Sequence, residues 1–249
     1  MSPRISGVGG IAQHVRQLAI RLRKIMKIMN ILRGLDVVTA VSMHAVKYYQ
    51  SLGIRTIHIP NAIDLSEMPR EGERVSEPQI TYLGRLSKEK GVDLLIGAAL
   101  RGLVIAGDGP MRPLIEYAAR RGLLKFLGPL PREKALKILA GSDVAVLPSR
   151  EEGLSTMILE AMALRIPIVA TRVGGTVEVL EHGKDAVLVN ANPDEIKQAV
   201  KHLLEDETYS RYLVENAYQK LIKHYNWDII EQQYMKLYKK ALEDRVSNV

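Results

Sequence analysis

The chain of 249 residues is 47% hydrophobic, carries a formal net charge of +7 and contains no cysteine, which excludes disulfides, thiolate chemistry and cysteine zinc sites. Its length suffices for one large core or two small ones, and no apolar run approaches the roughly 18 residues of a membrane span. The whole excess charge lies in residues 1–35, on Arg4, Arg16, Arg21, Arg23, Lys24, Lys27 and Arg33, so the balanced remainder does not read as a nucleic-acid binder.

Ser6 to Gly10 is a glycine-rich loop, and beyond it Ile11, Val15, Leu18, Leu22, Ile25 and Met29 recur at helical spacing with basic residues between them. Residues 11–33 thus offer a basic amphipathic face that suits a membrane surface, or an apolar stripe that suits a homodimer. Asp36 to Val41 reads as a strand, Ser42 as the cap of a helix from Met43 to Leu52 closed by Gly53, and Thr56 to Ile59 as a second strand. Pro60-Asn61-Ala62-Ile63-Asp64 turns the chain, and Glu67 to Pro78, rich in proline and charge, reads as a linker. The expected units are therefore residues 1–72 and 73–249.

From Gln79 the pattern becomes strand, loop, helix, repeated. Ile80 to Leu83, Leu103 to Ala106, Lys125 to Leu127, Val144 to Leu147, Ile168 to Thr171 and Ala186 to Val189 are short apolar runs. Helices are predicted over Val92 to Ala99, Pro113 to Arg121, Arg132 to Ala140, Ser155 to Leu164 and Gly175 to Glu181. Such alternation implies an α/β fold with a doubly wound parallel sheet. Helices over Pro193 to Leu204, Thr208 to His224 and Trp227 to Leu242 finish the chain. No signal peptide opens the sequence, and with cysteine absent the expected location is the cytoplasm. The six histidines show no metal-ligand spacing, so no metal is expected.

In a doubly wound sheet ligands bind beyond the carboxyl ends of the strands. Four loops should meet there: Gly84 to Gly91, Gly107-Asp108-Gly109-Pro110, Ser149 to Gly153, and Arg172-Val173-Gly174-Gly175. That places Arg85 and Lys90 beside the helix opened by Ser155. Ile158 stands where a capping box would put Glu or Gln, so the first-turn N–H groups suit a phosphate. Glu152 and Glu160 flank this helix start, about 12 Å apart at 1.5 Å per residue, too far for a glycosidase pair. They suit one long ligand, with sugar hydroxyls on Glu152, a diphosphate on the helix N-terminus and ribose on Glu160. Taken singly, each of these charges equally fits a solvated surface residue.

Together the segments resemble a known family. Glu152 to Glu160 is similar to the E-x7-E signature of retaining GT-B glycosyltransferases, the glycogen synthase-like glycosyl transferases group 1. Gly84-Arg85-Leu86 with Lys90-Gly91 resembles the family's G-R-L-x-x-x-K-G stretch, and Gly107-x-Gly109-Pro110 its G-x-G-P turn. Pro60 to Asp64 resembles I-P-N-G-V-D with Ala62 in place of Gly, and Gly9-Gly10 the G-G-x-x-x-h-V start of the N-terminal domain.

The resemblance implies retaining, metal-independent transfer of a sugar from a nucleoside diphosphate sugar to a hydroxyl acceptor, in carbohydrate biosynthesis, with no further cofactor. Arg85, Lys90 and the amides of Ser155, Thr156 and Met157 would hold the diphosphate, Glu152 the sugar and Glu160 the ribose. Gly9, Gly10, Gly84, Gly107, Gly109, Gly153 and Leu154 would line the donor site. The base is expected near Phe126 to Arg132, held largely by backbone groups. The family's full acceptor domain is represented here by a shortened α/β segment, and its acceptor-side histidine has no match, since His14, His44 and His58 stand in other contexts. A nucleotide-sugar-binding module without catalysis, a membrane-surface protein and a nucleotide-sugar isomerase are therefore the alternative expectations.

Overall fold

The computed structural model describes residues 26–246. Gly9, Gly10, His14 and the basic segment as far as Ile25 lie outside the described residues. Residues 26–33 are helical, with Met26, Ile28 and Ile31 more than half exposed. Among the described residues no helix is long and apolar enough to cross a membrane.

The first unit of structure is a βαβ element: β1 (Val38–Ala40) and β2 (Thr56–His58) pair in parallel, joined by α1 (Met43–Ser51). Ser42 caps α1 as its sequence context predicts, its Oγ accepting from Ala45 N at 3.2 Å, and Gly53 leaves the helix at φ +76°. The segment that follows, expected as a plain linker, is tied down. Asp64 caps a 3-10 turn at Leu65–Glu67, and the buried Gln79 side chain bonds Val75 N, Glu73 O and Ile138 O.

Six parallel strands then build one sheet: β3 (Ile80–Leu83), β4 (Leu103–Ala106), β5 (Lys125–Phe126), β6 (Val144–Leu147), β7 (Ile168–Thr171) and β8 (Val187–Val189). Their order is β5-β4-β3-β6-β7-β8. The chain winds outward from β3 in one direction and, after β5, returns to the other side of β3. The strand order therefore reverses between β3 and β6, which leaves a crevice beyond their carboxyl ends.

Both sheet faces are covered, and the period-2 pattern shows how. Val144 and Val146 belong to one apolar cluster, with helices α2 (Val92–Ala98), α3 (Arg112–Arg120) and α7 (Pro193–Glu205). Ala145 and Leu147 belong to the other, with α5 (Thr156–Ala163) and α8 (Glu207–His224). Two further helices, α4 (Arg132–Ala140) and α6 (Thr176–Val179), follow β5 and β7. Predicted and observed ends differ by one or two residues where helices fray, except that α6 is shorter by three and the last helix, expected to end at Leu242, runs four residues further to Val246.

The two sheets are joined at several points. Ile63 and Asn226 form a parallel bridge, with Ile63 N donating to Tyr225 O at 2.9 Å, just before α9 (Trp227–Val246) runs back along the first unit to pair Asp244 with Arg55. Glu178 of α6 reaches the start of α1, its carboxylate accepting from Met43 N at 2.6 Å and His44 N at 2.9 Å.

Candidate functional site

The crevice between β3 and β6 is a cleft of about 480 Å³. Its floor is the end of the two strands, Tyr82, Leu83 and Leu147. One wall is the β3 loop with Gly84, Arg85 and Lys90. The other is Ser149, Glu152, Leu154 and Ser155, running into Thr156, Met157 and Glu160 of α5. Arg132, Ala135 and Leu136 of α4 close the far end. Residues distant in sequence thus meet as the loop argument expects.

Three of the predicted residues that are described, Gly107, Gly109 and Gly153, stand outside the cleft. Gly9 and Gly10 lie outside the described residues. Gly107 and Gly109 do not line the cleft; they sit behind the β3 loop and hold it. Leu86 N donates to Asp108 O at 2.8 Å and Gly84 N to Ala106 O at 3.1 Å. At φ +144° Gly107 approaches so closely that a Cβ would lie 1.8 Å from Gly84 O. These glycines bring backbone against backbone within the protein. Gly153 faces the neighbouring cavity.

Arg85 is exposed on the cleft wall, and its carbonyl is fixed from below by Tyr82, whose hydroxyl donates to it at 2.8 Å. Burial, with the nearby Glu152 and Glu89 charges, pushes the Tyr82 phenol well above its ordinary range, so it stays a donor. Lys90 is not a free cation awaiting phosphate. Its Nζ donates to both oxygens of Glu152 at 2.8 and 2.7 Å, and Ser149 Oγ donates to the same carboxylate at 3.0 Å. The Glu152 side chain is only 7% exposed, so a carboxylate there requires such a partner.

Ser155 occupies the N-cap position of α5, but its side chain makes no cap bond. Ile158 N donates to Ser155 O at 3.2 Å, and the N–H groups of Thr156 and Met157 are left to the cleft, where the helix adds its positive end. Glu160, one turn further along, is buried and bound by Arg132 Nη1 at 2.5 Å. Of the stretch expected near a base, only Arg132 lines the cleft. Phe126 instead packs against the core and lies under Arg112.

Sequence reasoning missed two supports. Gly174 and Gly175 lie directly against the Glu152 loop, with Gly175 N donating to Glu152 O at 2.9 Å. Arg150 ties that loop to the β3 loop: its fork meets Asp93 at 2.7 and 2.8 Å, Nη1 also donates to Lys88 O, and its backbone N–H donates to Glu89 O. The Arg150 hydrogen bond holds Asp93 below the ordinary carboxylate range. A depressed pKa stabilises the fold above the unfolded value of about 3.9 and loses that contribution as pH falls through the folded value. Asp93→Asn should therefore lower stability at pH 7 by less than about 1 kcal/mol, seen as a slightly lower melting temperature, and the gap should close progressively below about pH 4. Melting curves of both proteins from pH 7 to pH 3 check this, and a gap that widens in acid would contradict it.

A second cavity of about 700 Å³ lies on the other side of Glu152. Ser42, His44 and Ala45 at the start of α1 line it together with Glu89, Arg150, Glu151, Gly153 and Gly174. His44, which the sequence places in no recognised context, thus faces the same carboxylate loop. Only the fold could show this, because Glu178 brings α1 there from a distant part of the chain. Among the described residues no group of three or more His, Asp or Glu side chains is arranged to hold a metal ion.

The chain is 34% identical over 184 residues to an uncharacterized glycosyltransferase of Methanocaldococcus jannaschii, covering 69% of this chain and 47% of that protein. It is 37% identical over 153 residues to alpha-D-kanosaminyltransferase of Streptomyces kanamyceticus, covering 56% and 40%. The chain therefore spans about half the length of the curated relatives it matches. In structure it is similar to sucrose-phosphate synthase from Thermosynechococcus elongatus, with a TM-score of 0.78 at 22% identity over 89% of this chain and 62% of that one. Anabaena HepE, solved in complex with UDP and glucose, gives 0.75 at 24% identity, over 84% and 64%. These neighbours share the GT-B fold. The model of the family described as "Glycosyl transferases group 1" matches residues 65–220, and on that match, which contains every wall of the cleft, the chain belongs to this family.

Proposed function

We propose that the cleft binds a nucleoside diphosphate sugar and that the protein serves transfer of its sugar to a hydroxyl acceptor, with retention at the anomeric carbon and without a metal. One observation carries this reading: a single cleft joins Arg85, Lys90, the uncapped start of α5, Glu152 and Glu160. A diphosphate would meet a planar fork, a point charge and helix-end donors. In the reaction the bond from the anomeric carbon to the diphosphate breaks, the electron pair leaves with the diphosphate, and the acceptor oxygen takes its place while its hydroxyl proton passes to the departing diphosphate oxygen. Negative charge grows on the leaving group, and donors already aimed there stabilise it most as it develops. Glu152 orients the sugar, and Glu160 accepts from the ribose hydroxyls.

The second cavity lies across Glu152 from the phosphate side, so the acceptor enters past His44 and Glu151. Residues 1–72 then act as the acceptor-side unit and 73–249 as the donor-side unit. A titration of the chain with UDP, GDP and ADP and their sugar conjugates, read by thermal shift, tests the donor assignment. At about 100 times its dissociation constant a ligand that binds only the folded state adds about 2.7 kcal/mol, a readable rise. A selective rise with one base is the expected result. No shift with any nucleotide would defeat the reading, and a shift without product in an assay with acceptors would reduce it to binding.

A further inference from the structure

Arg132 stands at the first residue of α4, where the helix presents its positive end and a cation is electrostatically disfavoured. Pro131 before it supplies no side-chain cap. What holds the guanidinium there is two carboxylates from other parts of the chain. Nη1 donates to Glu160 Oε1 at 2.5 Å, and Nη2 lies 3.3 Å from Glu67 Oε2 in the 3-10 turn after Asp64. Glu160 is nearly enclosed, its side chain 10% exposed, whereas Arg132 is 53% exposed. Among the described residues the other carboxylate oxygen, Glu160 Oε2, receives no hydrogen bond, and Glu160 lines the cleft. Arg132, Ala135 and Leu136 share one face of α4 by their spacing, and all three line the cleft with Thr156, Met157 and Glu160 of α5.

We propose that Arg132 is the positioning residue of the nucleoside subsite: it fixes the Glu160 carboxylate through Oε1, so that Oε2 is presented to the ribose diol. This rests on the nucleotide-sugar reading above. A carboxylate without that anchor turns about its last torsion and offers no single acceptor direction. With the anchor, the ligand must bring hydroxyl donors to the one remaining oxygen. Glu67 meets the second nitrogen from the segment crossing between the two sheets and takes no part in the subsite itself. The arrangement selects ribose over sugars that lack the diol.

The test uses the full chain, with UDP, GDP and ADP and the 2′,3′-dideoxy form of each. Wild type is expected to prefer the ribonucleotide by about tenfold or more, the equivalent of one good hydrogen bond to a charged group. Arg132→Gln should weaken the ribonucleotide about tenfold and leave the dideoxy form unchanged, so that the ratio falls towards one. Arg132→Lys keeps a charge without the fork and should regain only part of the ratio. Glu67→Gln leaves the Arg132–Glu160 pair in place and should keep the ratio. An unchanged ratio in Arg132→Gln and Arg132→Lys would show that Arg132 is structural only, and tighter ribonucleotide binding would show that it competes for Glu160; either overturns the proposal while nucleotide binding stands. Failure of wild type to bind any of the nucleotides overturns the nucleotide reading and this proposal with it.

Discussion

Replacing Lys90 by alanine is expected to weaken nucleoside diphosphate binding by about 10- to 100-fold and to leave the bare nucleoside almost unaffected. The larger figure corresponds to roughly 3 kcal/mol, the upper range for a hydrogen bond to a charged group. A second loss accompanies it, because the Glu152 carboxylate would keep only the Ser149 hydroxyl as partner. Breaking a fully buried pair costs 3–5 kcal/mol, and with Lys90 29% exposed the cost here is about 2 kcal/mol of stability. The two effects separate in the double variant Lys90→Ala with Glu152→Gln. Neutralising the orphaned carboxylate should restore most of the melting temperature, whereas the diphosphate affinity should stay low. Isothermal titration with the diphosphate and the nucleoside, beside melting curves, decides the matter. If affinity returns with stability, Lys90 serves Glu152 alone and the phosphate role falls.

The second large effect is expected from Gly175→Ala. Gly175 has φ −67°, an ordinary value for alanine, so backbone conformation offers no objection. The obstacle is space: a Cβ would lie 1.3 Å from Gly153 O and 3.3 Å from Leu154 N. Both are backbone atoms, and one loop must move. Overpacking of this kind costs about 1–3 kcal/mol and here acts on the loop that carries Glu152. The variant should therefore melt lower and lose at least tenfold in donor affinity, as a displaced Glu152 and α5 start would require. A neighbouring control, Gly153→Ala, meets nothing within 4 Å and should change neither. Equal behaviour of the two alanines would mean that the contact between the loops is looser than the distances state.

The six strands and most helices were legible in the sequence because each is a short apolar run between turn residues, a signal set by local periodicity. The gathering of Arg85, Lys90, Glu152 and Glu160 was legible for a related reason, since parallel winding sends every such loop to one edge. The pairings within that edge were not. Lys90 meets Glu152 across 62 residues, Arg150 meets Asp93 across 57, and Arg132 meets Glu160 across 28. Which charge neutralises which depends on the order β3-β6, and local pattern does not encode strand order. The glycines show the same limit. Gly107 and Gly109 read as lining a ligand site, yet each makes room for another stretch of backbone, as do Gly174 and Gly175. Composition signals close approach without naming what approaches.

The strand order has a further consequence for how firmly the cleft is held. The loops carrying Arg85, Lys90, Glu152 and the start of α5 hang from β3 and β6, each flanked by strands on both sides, whereas β5 and β8 are the edges. Ile80, Thr81 and Tyr82 and the whole of Val144 to Leu147 are buried. Amides in such central strands exchange their hydrogens only when the fold opens as a whole, while edges open by local fluctuation. The walls of the cleft are thus anchored in the slowest-exchanging part of the molecule. On the proposed reading, a nucleotide sugar would meet walls that are already ordered, and little of its binding free energy would be spent on ordering the protein around it.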